Sequence, residues 1–181
     1  VKRGILIMDL NNLGWNAFFE KHLKVIDQQY SNVGRISCEN KNSYKLLSEY
    51  GELIAIISGK LRNSSHSRED FPVVGDWVIF EKVEKENKAI IQNILPRKSR
   101  FSRKIAGNTT QEQILAANID TVFIVSSLNY DFNPRRIERY LAMVWNSGAN
   151  PVIILTKSDL CENPDEMLAQ IESIAFGTRI H

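Results

Sequence analysis

Cysteine is nearly absent: the 181 residues hold only Cys38 and Cys161. Neither has a second Cys or a His at metal-ligand spacing, so no zinc site is visible, and two distant thiols make no disulfide scaffold. They read as reduced thiols of a cytoplasmic protein. Long apolar runs are missing too. The longest have no more than six residues, against the ~20 that span a bilayer, so no membrane segment is expected. The stretch from Val1 to Ile7 is too short for a secretory signal. Met8 reads as the natural start, with residues 1–7 a remnant ahead of it; the intact mass of the native protein checks this. An excess of one charge is also lacking. Lys and Arg number 23 against 21 Asp and Glu, a formal charge of +2. Any nucleic-acid binding must then come from local clustering.

What remains is a globular composition, 43% hydrophobic and 24% charged, in a length that suits one large domain or two small ones. Asn11 to Lys21 has helical periodicity, with Leu13, Ala17 and Phe18 on one face. It predicts a helix that covers something else, within an N-terminal extension at 1–32.

From 33 to 96 short segments of branched and aromatic residues alternate with polar breaks. They predict strands near Val33–Cys38, Ser43–Leu47, Glu52–Ser58, Asp76–Val83 and Ala89–Ile94. Five short antiparallel strands suit a small barrel, OB-type first and SH3-like second. Gly59 to Phe71 is polar and aperiodic, and reads as a loop. It contains Lys60, Arg62, His66 and Arg68 against Glu69 and Asp70, and Lys60 and Arg62 are candidates for phosphate contact. Trp77 reads as barrel core rather than as a stacking platform, and Gly75 as a backbone turn at a strand entrance.

Residues 97–110 form a basic linker. Arg97, Lys98, Arg100, Arg103 and Lys104 place five cations in eight residues with no acid, which leaves the rest of the chain at −3. Clustered Arg and Lys neutralise phosphates, and Phe101 could stack on an unpaired base. The same stretch also reads as a solvated connection between domains. Thr109 with Glu112 fits a capping box, which predicts a short helix through Ala117.

Residues 111–181 read as the start of a parallel α/β domain. Val122–Val125 and Val152–Leu155 are continuous apolar runs, as in strands buried on both faces. Between them Asn133 and Pro134 begin a helix, Ile137, Tyr140, Leu141 and Val144 form its apolar stripe, and Gly148 ends it. Ligands of such sheets bind beyond the carboxyl ends of the strands. There the chain reads Thr156-Lys157-Ser158-Asp159, which resembles the Asn/Thr-Lys-x-Asp guanine-specificity motif. The Asp159 carboxylate can accept from guanine N1–H and the 2-amino group, neither of which adenine offers. The Lys157 stem can lie along the base, and Thr156 and Ser158 would tie the loop. The bland reading is a polar strand-to-helix loop. A phosphate-binding Gly-x-x-x-x-Gly-Lys-Ser/Thr loop does not occur in these 181 residues; Gly59-Lys60 is followed by Leu61 and preceded at 54 by Ile.

A GTPase motif without an upstream phosphate loop points to a permuted order. Leu13-Gly14-Trp15-Asn16, Gly51–Ala55, Gly59–Arg62, Pro72–Val78, Ala116–Asp120 and Leu155–Leu160, in that order, resemble the ribosome-small-subunit-dependent, circularly permuted GTPases of the RsgA-like family. The resemblance implies an OB-type β-barrel followed by the beginning of an α/β parallel-sheet GTPase domain, incomplete here. It also implies GTP and Mg as cofactors and Zn in a C-terminal domain outside this chain. Partners would be the small ribosomal subunit with its 16S rRNA and a guanine nucleotide, for a cytoplasmic protein that is monomeric in solution. Thr156, Lys157, Ser158 and Asp159 would hold the base. Catalytic residues and metal ligands would lie outside this chain, so it should not hydrolyse GTP alone. The alternative is a non-enzymatic OB-fold RNA-binding protein, with a protein-interaction scaffold third.

Overall fold

The computed structural model describes residues 8–26, 32–104 and 112–181. They form two compact units. One runs to Arg100 and takes in the return segment to Asn118; the other has Phe101–Arg103 and Ile119–His181.

The first unit is a closed barrel of β1 (Val33–Glu39), β2 (Tyr44–Ser48), β3 (Gly51–Ile57), β4 (Trp77–Lys82) and β5 (Lys88–Ile94). Around the barrel the order is β1-β2-β3-β5-β4, with β4 closing on β1. This is an OB-type barrel. The expectation of purely antiparallel strands is corrected at one seam, because β3 and β5 pair in parallel, Ile54 with Lys88 through Ile57 with Ile91. The connection from 58 to 76 carries the chain across the barrel to β1, so β3 is left to meet β5 running the same way. Alternation puts Ile36, Leu46, Leu53, Ala55, Val78, Phe80, Ala89 and Ile91 inside, nearly or wholly inaccessible.

Strand β4 is buried on both faces. Val78 and Phe80 point into the barrel, and Trp77 and Ile79 belong to a second cluster with Phe19, Val33 and Leu95. Helix α1 (Ala17–Ile26) supplies the cover, with Trp15 edge-on to Trp77 at 4.8 Å. The single helix expected from Asn11 to Lys21 is instead a 3-10 turn, Leu10–Leu13, and then α1. Gly14 breaks the two apart: its φ of 90° ends the turn, and Asn16 Oδ1 accepts from Phe18 N–H at 3.0 Å to start the helix.

The Gly59 to Phe71 loop is also more ordered than its composition implies. Ser58 Oγ caps α2 (Gly59–Ser64) by accepting from Leu61 N–H at 3.1 Å, and Leu61 packs on the barrel core. A 3-10 turn follows at Arg68–Asp70. After β5 come β6 (Arg100–Lys104) and β7 (Glu112–Ala117). The helix expected through Ala117 is therefore a strand where it is described; Thr109 lies outside the described residues. The reason is tertiary. Ala117 N–H donates to Val74 O at 2.8 Å, and Ile114 and Ala117 are buried against Val73.

In the second unit β8 (Thr121–Ser127), β9 (Asn150–Thr156) and β10 (Arg179–Ile180) form a parallel sheet in the order β10-β9-β8. Helix α3 (Pro134–Ser147) links β8 to β9, and α4 (Pro164–Glu172) links β9 to β10. Asn133 and Gly148 cap α3 as expected, and Ile137, Leu141 and Val144 are buried. Tyr140, counted in the same stripe, is 44% exposed. The apolar runs do not mark strands buried on both faces. Ile124 is 5% exposed, but its neighbours Phe123 and Val125 are 64% and 63% exposed. The described helices pack only on the side that holds Ile124, Ile137, Leu141 and Ile153.

Candidate functional site

The second unit ends its central strands where a ligand-binding loop belongs. Strand β9 stops at Thr156, whose Oγ1 donates to Ser126 O at 3.5 Å, while Leu128 N–H donates to Thr156 O at 2.8 Å. These bonds lock the carboxyl ends of β8 and β9 together. Lys157 then turns the chain with φ 60° and ψ 37°, a left-handed conformation that non-glycine residues adopt at a cost of about 1–3 kcal/mol. A 3-10 turn, Ser158–Leu160, follows and is closed by Leu160 N–H on Lys157 O at 3.1 Å.

The turn lifts Lys157, Ser158 and Asp159 to the surface. The Asp159 side chain has no hydrogen bond or ion pair to a described residue. The nearest cation in sequence, Lys157, instead lies within electrostatic reach of Asp131. Asp131 itself is held by Arg136, at 3.1 Å from Nη1 and 2.8 Å from Nη2. These bonds, then the Arg136 charge, hold the Asp131 carboxyl below its ordinary range, with Lys157 assisting. Two carboxylates thus share the rim. Asp131 is committed to an arginine, and Asp159 is available to donors from outside. Such a carboxylate can do what guanine recognition asks, accepting two parallel N–H bonds on one edge of a base. Beside the turn is a cleft of about 650 Å³ whose wall includes Leu128, Tyr130, Leu160 and Met167. Ser126, at the same end of β8, has a buried hydroxyl without a partner among the described residues.

The basic residues do not form one surface. Lys60 and Arg62 are exposed on α2. Lys98 and Arg103 are exposed as well. Arg100 is exposed and lies 3.9 Å from Glu69. Arg97 turns inward. Its Nε donates to Asp76 Oδ1 at 2.8 Å and Nη2 to Oδ2 at 2.7 Å, and Nη1 and Nη2 also reach the carbonyls of Glu69 and Phe71. Burial opposes the Arg97 charge, but the Asp76 hydrogen bonds and charge, joined by Glu69 and Asp70, overcome it and raise the guanidinium pKa. Phe101 is half-buried and packs against the core cluster of the second unit rather than standing out as an exposed platform. The Lys104 side chain lies outside the described residues. Sequence reading had no signal for the Asp76 partner of Arg97, because the two are 21 residues apart on different elements.

No three His, Cys, Asp or Glu side chains come together as metal ligands among the described residues. No described helix is long and apolar enough to cross a membrane.

Two solved chains share the fold of a closed barrel followed by a parallel α/β sheet. YjeQ from Thermotoga maritima matches with a TM-score of 0.60 at 22% identity, over 82% of this chain and 50% of that one. YloQ, a circularly permuted GTPase, matches with a TM-score of 0.57 at 19% identity, over 85% and 52%. Residues 94–179 match the RsgA GTPase family. The likeness extends back through the barrel: the small ribosomal subunit biogenesis GTPase RsgA 1 of Oceanobacillus iheyensis is 40% identical over 96% of this chain and 49% of its own length. The RsgA of Syntrophotalea carbinolica is 42% identical over the same shares. Across these aligned residues the chain is similar to the RsgA GTPases. It spans about half the length of the curated relatives it matches.

Proposed function

We propose that this chain is the barrel and base-recognition part of a cytoplasmic GTPase that binds the small ribosomal subunit during its assembly. The observation that carries this reading is the Asp159 carboxylate. It stands exposed and unpaired among the described residues, on a left-handed turn at the carboxyl end of a central parallel strand. The relatives' names supply the reaction and the setting: they are small ribosomal subunit biogenesis GTPases.

In this reading the residues divide the work. Thr156 ties the loop to β8, the left-handed turn at Lys157 presents it, the Lys157 stem flanks the base, and Asp159 selects guanine by its pairing edge. Hydrolysis needs a phosphate loop, a magnesium ion and a way to orient water. None of these is assigned to residues of this chain, nor is the zinc of the family's further domain, so the 181 residues alone should leave GTP uncleaved. The barrel and the exposed cations Lys60, Arg62, Lys98, Arg100 and Arg103 would face 16S rRNA. Arg97, held by Asp76, and Phe101, packed against the core of the second unit, would not contact RNA directly.

The test is base preference in the full-length protein. Asp159→Asn should shift selectivity from GTP toward xanthosine triphosphate, because an amide can donate to the 2-keto oxygen that a carboxylate repels. An unchanged preference removes Asp159 from the site. If the full-length protein holds RNA and no nucleotide, the non-enzymatic OB-fold reading replaces this one.

A further inference from the structure

A concavity of about 230 Å³ opens on the barrel unit, apart from the basic linker. Three separate elements bring cations to it. The β1–β2 connection supplies Lys41, α2 supplies Arg62, and the Arg68–Asp70 turn supplies Arg68; Tyr44 and Phe71 complete the wall. Arg68 pairs with Glu39 and lies within electrostatic reach of the Tyr44 phenol. Lys41 and Arg62 are exposed and make no ion pair among the described residues. Three cations therefore face one carboxylate, and two charges are left for a ligand. Burial, more than any charge, raises the Tyr44 pKa, so its hydroxyl stays neutral and can donate.

The concavity is held in shape from below. Arg97 bonds the carbonyls of Glu69 and Phe71, at 2.9 and 3.0 Å, and is itself fixed on Asp76. The turn that carries Arg68 and Phe71 is thus fastened to the barrel before any ligand arrives, which lowers the ordering cost of binding. The volume is too small to enclose a nucleotide and suits a single phosphate group of a passing strand. An aromatic ring beside surplus cations adds a place for an unstacked base, which a duplex does not offer.

We propose that Lys41, Arg62 and Arg68 form a phosphodiester subsite for an unpaired stretch of RNA, with Phe71 beside it for the flanking base. The proposal rests on the reading of this chain as an rRNA-contacting assembly factor, and names where on the barrel that contact is made.

The experiment measures binding of the 181-residue chain to a labelled unpaired RNA of about 12 nucleotides, by anisotropy, from about 50 to about 200 mM salt. Lys41→Gln with Arg62→Gln should weaken binding about tenfold and flatten the slope of log affinity against log salt by ~1.4, two contacts at ~0.7 each. Arg62→Lys should keep most of that slope. Arg179→Gln, an exposed cation of the other unit, removes a charge without touching the concavity and should leave affinity within about twofold of wild type. Circular dichroism confirms that each variant is folded. Unchanged RNA affinity in the folded double variant overturns the subsite; if both proteins still bind the small subunit, the functional reading survives it. If wild type binds neither RNA nor subunit, both fall. Equal affinity for duplex RNA, or displacement by low-millimolar inorganic phosphate, makes this a bare anion site and also overturns the proposal.

Discussion

Arg97 grips both carboxylate oxygens of Asp76, at 2.8 and 2.7 Å, and the second of those oxygens also accepts from Val73 N–H at 2.9 Å. Asp76 is wholly buried, and the Arg97 side chain is 13% exposed. Removing one partner of such a pair strands the other charge. Asp76→Asn should therefore cost ~3–5 kcal/mol in denaturant unfolding. Arg97→Lys keeps the charge but loses the planar fork, and should cost less than Asp76→Asn. If Arg97 contacts no phosphate, a folded Arg97→Gln variant, which removes the charge, should leave the salt dependence of RNA binding unchanged. A slope flattened by ~0.7 in that variant would return Arg97 to the RNA surface.

Gly75 and Asn118 meet at the end of the return strand. Gly75 has φ 90°, and a Cβ there would lie 1.9 Å from Ala117 O. Gly75→Ala thus combines left-handed strain of ~1–3 kcal/mol with a backbone clash, and should unfold well before wild type. Gly59 gives the opposite case. It lies in α2, and a Cβ meets nothing within 4 Å. Gly59→Ala should stabilise the chain by ~0.4–1 kcal/mol, read as a shift in the denaturation midpoint.

Asn118 has φ 55°, its Oδ1 accepts from Lys98 N–H at 2.8 Å, and its Nδ2 donates to Gly75 O at 3.0 Å. Asn118→Gly keeps the backbone conformation and loses the two bonds. Asn118→Ala loses both, and should be less stable than Asn118→Gly by ~1 kcal/mol. Equal stabilities would mean that the side-chain bonds carry the whole effect.

Local signals were readable wherever local physics decided the outcome. The barrel strands, the Asn133 and Gly148 caps and the βαβ pattern depend on alternation, capping and periodicity within a few residues. The loop at Thr156–Asp159 was legible for the same reason. The errors lie where distant contacts win. Glu112–Ala117 has helix-forming residues, yet Val73 and Val74 hold it as a strand. Arg97 reads from sequence as a phosphate contact because nothing near it announces Asp76. Lys41 went unnoticed because a lone lysine in a short turn means nothing until Arg62 and Arg68 come beside it.

The turn at 66–70 should sense acid. Asp70 Oδ2 accepts from the backbone N–H groups of His66 and Ser67, each at 2.9 Å. The Ser67 and then the His66 bond lower the Asp70 pKa from its ordinary 3.8. A depressed folded pKa gives stabilisation that is present above the unfolded value and lost as pH falls through the folded one. The amide resonances of His66 and Ser67 should therefore titrate together with a midpoint below 3.8. In Asp70→Asn that transition should vanish. A midpoint above 3.8 would mean that the carboxylate is not held by these amides in solution.

Strand β8 offers a final comparison between adjacent residues. Ile124 is 5% exposed within the core of the second unit, whereas Phe123 is 64% exposed. Ile124→Ala removes buried volume and should cost ~2–5 kcal/mol. Phe123→Ser exposes nothing new in this chain, and should stay within about 1 kcal/mol of wild type, the difference from a typical surface change being its lost strand propensity. Chemical denaturation of the two single variants measures both. If Phe123→Ser proves as damaging as Ile124→Ala, the face that carries Phe123 and Val125 is covered in solution, by a second copy if the loss depends on protein concentration and by the chain itself if it does not.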